Sequence, residues 1–189
     1  DSCWAGKFSK TIDSSASYLL SRRWDVRVTN HKALKAIQIT LHTFVANSLG
    51  ASNPGHCIPA IQDLKAGARV KLLSNQDVAA SLVNGATGFC EGFAFVRLQD
   101  SRADSTVERI AVLPKMKYTD RSGKNRLGYI KPVAQIAVHQ RLKVGAQNYM
   151  PLASCVAETI HGTQGATKTG KIVTTPADIF AEHQSYTLL

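Results

Sequence analysis

The stretch PLASCVAETIHGTQGAT, residues 151–167, decides how the rest of this chain is read. Pro151 suits the first turn of a helix, where a missing N–H costs no hydrogen bond. Leu152, Cys155, Val156, Thr159 and Ile160 recur at helical spacing, so the pattern predicts a short helix with one buried stripe. Gly162 is expected to break that helix, leaving His161, Thr163 and Gln164 on a loop bracketed by Gly162 and Gly165. Small polar donors beside glycines, at the end of a rigid apolar element, suit contact with a phosphate backbone.

Outward from this stretch the chain changes character twice. Downstream, Lys171–Thr175 reads as a strand that Pro176 terminates. Upstream, from Leu64 to Val144, short strand-like runs alternate with turns: 68–73, 88–98, 109–113 and 131–138, with Asn84-Gly85 and Ser122-Gly123 as turn dipeptides. That rhythm suggests a small β-barrel. Before it, Asn53-Pro54-Gly55 marks a linker over 51–59. Nearer the N-terminus, Ser14, Ser15 and Ser17 precede Tyr18-Leu19-Leu20, a pattern for a short serine-capped helix. The alternation of Val26 and Val28 around Arg27 predicts a strand over 25–29. Asn30 and His31 should then open a helix with Leu34, Ile37, Leu41 and Phe44 on one face.

Bulk properties narrow the function classes. With 189 residues, 44% of them hydrophobic, the chain can bury a real core as one domain or two small ones. Lys and Arg number 23 against 13 acidic residues, a net charge of +10, which points to a polyanionic partner, nucleic acid before membrane. Lys115, Lys117, Arg121, Lys124 and Arg126 cluster around Tyr118, a candidate basic groove with one ring for base stacking; an exposed hairpin tip kept soluble by its cations is the plainer reading. Cys3, Cys57, Cys90 and Cys155 have neither Cys-x-x-Cys nor zinc spacing, so reduced thiols and no metal site are expected. No apolar run reaches the length of a membrane span, so no membrane partner is expected. The first residue is Asp rather than Met, so a fragment or a processed piece is expected.

The 151–167 stretch resembles the segment Pro-Leu-x-x-Ala-x-Ala-x-Thr-Ile-His-Lys-x-Gln-Gly-x-Thr of Pif-family and RecD-like DNA helicases, superfamily one, group B. Pro151, Leu152, Ala157, Thr159, Ile160, His161, Gln164, Gly165 and Thr167 match in register. Cys155 replaces an alanine and Gly162 replaces a lysine, which removes one cation. VTNHKALKAI, residues 28–37, looks like the family's strand, Thr-Asn pair and helix. Residues 64–93 resemble the strand and Leu-x-Asn-Gly turn of its inserted barrel through Leu64, Gly67, Val70, Leu72, Asn75, Leu82, Asn84, Gly85 and Gly88. Ser185–Leu189 looks like the start of a motif that ends in an arginine, which the chain does not reach.

The resemblance implies an α/β fold: a partial RecA-like parallel sheet with helices, interrupted by an inserted small SH3-like β-barrel. Residues 1–62 would begin the second RecA-like domain, 63–148 would be the insert, and 149–189 would return to the sheet. It implies an ATP-dependent, 5′ to 3′ DNA helicase in the intact protein, in which Thr159, His161 and Thr163 touch single-stranded DNA and Gln164 and Gly165 link that loop to the nucleotide. ATP and Mg²⁺ would be the cofactors of the intact enzyme, and an N-terminal RecA-like domain would be the missing partner. The location would be intracellular: nucleus or mitochondrion in a eukaryote, otherwise cytoplasm.

No Gly-x-x-x-x-Gly-Lys-Ser/Thr segment and no apolar strand ending in Asp-Glu occurs in the 189 residues. These residues alone are therefore not expected to hold nucleotide or hydrolyse ATP, and none is a candidate catalytic residue. No Gly-x-Ser-x-Gly elbow or helical histidine pair points to another chemistry. Two other readings fit the charge: a nucleic-acid-binding module without motor activity, and an interaction domain whose basic face meets another subunit.

Overall fold

The structure is a computed structural model that describes residues 12–50, 60–98, 109–139, 142–163 and 170–174. The linker expected at 51–59, Cys3, Cys57, Gln164, Gly165 and the 185–189 segment lie outside the described residues. In chain order the elements are β1 (Ser17–Leu20), α1 (Arg23–Ala36), β2 (His42–Val45), β3 (Asn47–Gly50), β4 (Ile61–Leu64), β5 (Arg69–Leu72) and β6 (Thr87–Leu98). There follow β7 (Arg109–Thr119), β8 (Asn125–Tyr129), β9 (Val133–His139), β10 (Leu142–Tyr149), β11 (Leu152–Ser154), β12 (Ala157–Thr159), a single 3-10 turn (His161–Thr163) and β13 (Ile172–Thr174). The chain divides into two compact units, Asp1–Gln38 with Ser154–Leu189, and Ile39–Ala153.

The first unit is α/β. Strand β1 is central in a parallel sheet of order β12-β1-β13. All four β1 residues are buried, the continuous run that marks a strand covered on both faces. The run Tyr18-Leu19-Leu20 is therefore a strand and not the serine-capped helix expected from sequence. Helix α1 packs over the sheet through a core of Ala16, Tyr18, Leu20, Ala33, Val156 and Ala157, with Val26 and Val173 beside it. The strand expected over 25–29 is also corrected, because those residues are the first turns of α1. Buried Asp25, Thr29 and Ala33 recur every four residues, and that helical period overrides the local alternation of Val26 and Val28. The Thr29-Asn30 pair accordingly lies inside the helix. The helix stops at Ala36, with extended Ile37 donating its N–H to the Leu34 carbonyl, so Leu41 and Phe44 do not extend it.

The largest correction falls on residues 151–160, which form β11 and β12 rather than a helix. Leu152, Cys155, Val156 and Ile160 are buried as expected, but as strand and turn residues. Strand β12 runs parallel to β1, pairing Ala157 with Tyr18 and Thr159 with Leu20. β13 flanks β1 on its other side, matching the strand expected near 171–175.

The Ile39–Ala153 unit is all β, with sheets of order β11-β5-β6-β7-β8, β3-β10-β9 and β2-β4 among the described residues. The strands expected near 68–73, 88–98, 109–113 and 131–138 are β5, β6, β7 and β9, although β7 runs on to Thr119. Gly85 and Gly123 take positive φ at the two expected turns, where a Cβ is disfavoured. Phe44, expected on a helix, sits on β2 beside His42. The rings of both stack on Phe93 of β6, with His42 3.7 Å and Phe44 6.2 Å away between centroids.

Candidate nucleic-acid interface

Strands β1 and β12 end together at Leu20 and Thr159, and the chain turns sharply at this carboxyl edge of the parallel sheet. Open α/β sheets bind ligands at that edge. Ile160, 1% exposed, anchors the turn by donating its N–H to the Leu20 carbonyl at 3.0 Å. Two hydroxyls then close it. Gly162 donates its N–H to Thr159 Oγ1 at 3.1 Å, and Thr163 Oγ1 donates to the Ile160 carbonyl at 2.8 Å. His161 and Gly162 are left exposed at the tip, while Thr163 is buried. The structure therefore brings Thr159, His161 and Thr163 into one turn and presents the imidazole of His161 to solvent. Gln164 and Gly165 follow outside the described residues.

The glycine at 162 matters to this geometry. A Cβ there would stand 2.7 Å from Thr159 Oγ1, inside contact distance. Gly162→Ala should expel the Thr159 hydroxyl and cost about 1 kcal/mol in thermal unfolding. Thr159→Val should cost a similar amount, and the two losses should not add in the double variant. Additive losses would mean that the two sites do not share this hydrogen bond.

Asn30, not a site candidate from sequence, ties α1 to the strand that carries the turn. Its side-chain amide donates to the Ala157 carbonyl at 2.9 Å, and its Oδ1 accepts the Ala157 N–H at 2.7 Å. The side chain thus pairs with the edge of β12 as a neighbouring strand would. A polar residue one turn from buried Ala33 and Leu34 is the local signal that points to it.

In the other unit, Lys115 and Lys117 project from β7 on one face of the five-stranded sheet. Lys117 pairs across with Phe89 and Leu127, and Lys115 with Gly92 and Tyr129. Phe89, Leu127 and Tyr129 are exposed, so the face interleaves cations with apolar side chains. A cavity of about 340 Å³ there is lined by Glu91, Lys115, Lys117, Asn125, Arg126 and Leu127. Tyr118, the expected stacking ring, is buried on the opposite face, where its hydroxyl donates to the Ala80 carbonyl at 2.7 Å. Alternation along β7 puts Tyr118 opposite in phase to Lys117, a signal readable from the sequence once the strand is extended to Thr119. Two cations are partly neutralised. Lys117 lies 3.4 Å from Glu91, and Arg126 lies 2.9 Å from Asp120. Arg121 and Lys124 are exposed on the β7–β8 turn.

Asp120 organises that turn. Its Oδ1 accepts from the Ser122 amide and hydroxyl and from the Lys124 amide, and its Oδ2 from Arg126 Nε. The Ser122 hydroxyl, then the Arg126 guanidinium and the Lys124 amide, hold its carboxyl well below the usual carboxylate range. Because the folded pKa is depressed, this support is complete above the ordinary value of 3.8 and is lost only as pH falls well below it. Asp120→Asn should free Arg126 and shift the amide resonances of Ser122 and Lys124 at neutral pH. The wild type should show comparable shifts only in strong acid; a transition near neutrality would contradict the assignment.

Among the described residues no helix is long and apolar enough to cross a membrane. No family model matches the chain. It is 26% identical over 201 residues to the ATP-dependent DNA helicase PIF7 of Trypanosoma brucei brucei, covering 97% of this chain and 20% of that protein. It is 28% identical over 179 residues to the ATP-dependent DNA helicase PIF1 of Mus musculus, covering 92% of this chain and 25% of that protein. The chain thus spans a fifth to a quarter of the length of these curated relatives. The Pif1 helicase of Candida albicans superposes with a TM-score of 0.73 at 22% identity, over 91% of this chain and 42% of that one. A Bacteroides Pif1 bound to ssDNA gives 0.65 at 20% identity, over 95% and 38%.

Proposed function

We propose that this chain, Pif1-like over most of its length and resembling the C-terminal portion of those helicases, serves as the strand-gripping lobe of an ATP-dependent DNA helicase. The observation that carries this reading is the exposed His161 on a turn closed by two threonine hydroxyls at the carboxyl edge of a parallel sheet. His161 meets the phosphates of single-stranded DNA. Thr159 and Thr163, whose hydroxyls are engaged within the turn, hold the imidazole in place and border the same strand. Gln164 and Gly165 couple that grip to the nucleotide and its hydrolysis.

The insert expected at 63–148 falls within the Ile39–Ala153 unit, and we assign it the role of a small SH3-like barrel that guides the strand. Lys115, Lys117 and Arg126 supply charge, with Arg121 and Lys124 on the adjoining turn, while Phe89, Leu127 and Tyr129 offer surface to the bases. ATP and Mg²⁺ act in the protein as a whole. The residues of this chain do not fit a nucleotide cradle, because they contain no phosphate-binding loop. Among the described residues no group of acidic, histidine or cysteine side chains is placed to hold a metal. No step of hydrolysis is therefore assigned to this chain. Movement in the 5′ to 3′ direction and an intracellular location, nuclear, mitochondrial or cytoplasmic, complete the reading.

His161→Ala in the full-length protein tests it. DNA-stimulated ATP hydrolysis should fall about tenfold or more, equivalent to about 1.4 kcal/mol, while the melting temperature hardly moves because the side chain is exposed. Parallel loss of activity and stability would make His161 a structural residue. The mixed basic and apolar face also suits a second reading, a nucleic-acid-binding module without motor activity. Under that reading oligonucleotide affinity falls with salt, but DNA stimulates no ATP hydrolysis.

A further inference from the structure

We propose that the outer face of α1 is a second binding surface for single-stranded nucleic acid, built from residues other than those of the His161 turn. The inference rests on the nucleic-acid reading above and extends it to residues that reading leaves unused. With its inner side on the sheet, α1 turns Arg23, Trp24, Arg27, His31, Lys32 and Lys35 to solvent. At 100° per residue these six fall within one half of the helix circumference. Trp24, His31 and Lys35 run along its middle, with Arg27 on one flank and Lys32 on the other. From Arg23 to Lys35 the stripe is about 18 Å long, enough to meet several phosphates of an extended strand.

The charge on this face is unbalanced. Asp25 is the one acidic residue of α1, and it is buried. Among the described residues none of the four helix cations is held in an ion pair, whereas Lys117, Arg126 and Lys171 are. Helix stability does not explain the pattern. Arg22 and Arg23 stand at the positive end of the helix dipole, where cations are unfavourable, and Arg22 provides no capping side chain.

Trp24 selects the class of polyanion. It is 68% exposed, a large ring left in water in the middle of the cations. An acidic peptide would satisfy the cations and leave the indole uncovered. A single strand satisfies both, since phosphates follow the Arg and Lys heads while a base stacks on the ring. The surface is also mechanically linked to the proposed grip. Asn30, on the inner side of the same helix, is bonded twice to Ala157, two residues before Thr159.

The test uses the full-length protein and a labelled oligo-dT long enough to reach past one site, followed by fluorescence anisotropy at several salt concentrations. Trp24→Ala should weaken binding by about 5- to 100-fold, as loss of one stacked base does, and Trp24→Phe should recover much of it. Arg27→Ala with Lys35→Ala should flatten the slope of log affinity against log salt by about 1.4. Both variants should melt as the wild type does, since all the substituted side chains are exposed. Unchanged affinity in both variants, with binding still lowered by His161→Ala, overturns this inference and leaves the proposed function standing. Displacement of the oligonucleotide from α1 by polyglutamate in the wild type but not in the charge variant, with no effect of Trp24→Ala, would assign the face to an acidic protein and overturn it too. Failure of the wild type to bind oligo-dT at all would overturn both.

Discussion

Asn30→Ala should destabilise the protein by about 2–4 kcal/mol, a large loss for one surface-proximal polar side chain. The amide of Asn30 satisfies both backbone groups of Ala157, which is 1% exposed. Removing it leaves a buried N–H and a buried C=O without partners, at about 1–3 kcal/mol each. Together that is about 2–6 kcal/mol, and water entering the edge of β12 recovers part of it, which brings the upper bound down to about 4 kcal/mol. Asn30→Asp should not rescue, because its second oxygen would face the Ala157 carbonyl and repel it. Chemical denaturation of the three proteins measures the effect. A loss under about 0.5 kcal/mol in Asn30→Ala would show that the clamp contributes only geometry. The functional consequence follows from position: Ala157 leads directly into Thr159 and the His161 turn, so DNA binding should weaken along with stability. This pattern differs from His161→Ala, where activity falls and stability does not.

Gly88→Ala should be worse still, costing upward of about 3 kcal/mol. A Cβ at position 88 would fall on the backbone carbonyl oxygen of Lys117, and within 3.1 Å of Met116 Cε. Backbone cannot swing aside as a side chain can, so β6 and β7 would have to separate where Gly88 pairs with Tyr118. Met116 and Cys90, both 0% exposed, form the core beneath that pairing. Gly128→Ala provides the contrast. There the new Cβ would meet Leu82 Cδ1 at 2.7 Å, the end of a flexible side chain that can rotate away. Thermal unfolding should rank Gly88→Ala well below Gly128→Ala, and equal melting temperatures would refute the steric argument. Since Lys117 lies at the clash, its exposed pairing with Glu91 should also be lost, although an exposed ion pair contributes little by itself.

Residues 151–160 show how much of the site is legible in sequence. Their burial is readable because Leu152, Cys155, Val156 and Ile160 are apolar residues among polar ones, and such residues are inside whatever the backbone does. Their secondary structure is not readable, because a short apolar run fits a helix turn as well as a buried strand. Tyr18-Leu19-Leu20 is ambiguous for the same reason. The lysines at 115 and 117 are legible as a charged pair, but the rings that accompany them are not. Phe89 and Tyr129 reach that face only through cross-strand register, which shifts at a bulge between Cys90 and Gly92. Asn30 is legible as a helix residue and illegible as a clamp, since its partner lies 127 residues away.

Composition and local pattern alone set the excess of positive charge, the middle run of short strands, the turns at Asn84-Gly85 and Ser122-Gly123, and the exposed tip at His161. These depend on residue chemistry and on neighbours a few positions apart. Three-dimensional pairing was needed to establish that 157–159 is a strand, which side of β7 faces solvent, and which hydroxyls close the turn. Strand identity and facing are settled by hydrogen bonds to partners distant in the chain, and the turn closes only once Ile160 is anchored on Leu20. The free energy of such a pairing leaves no mark on the periodicity of either segment alone.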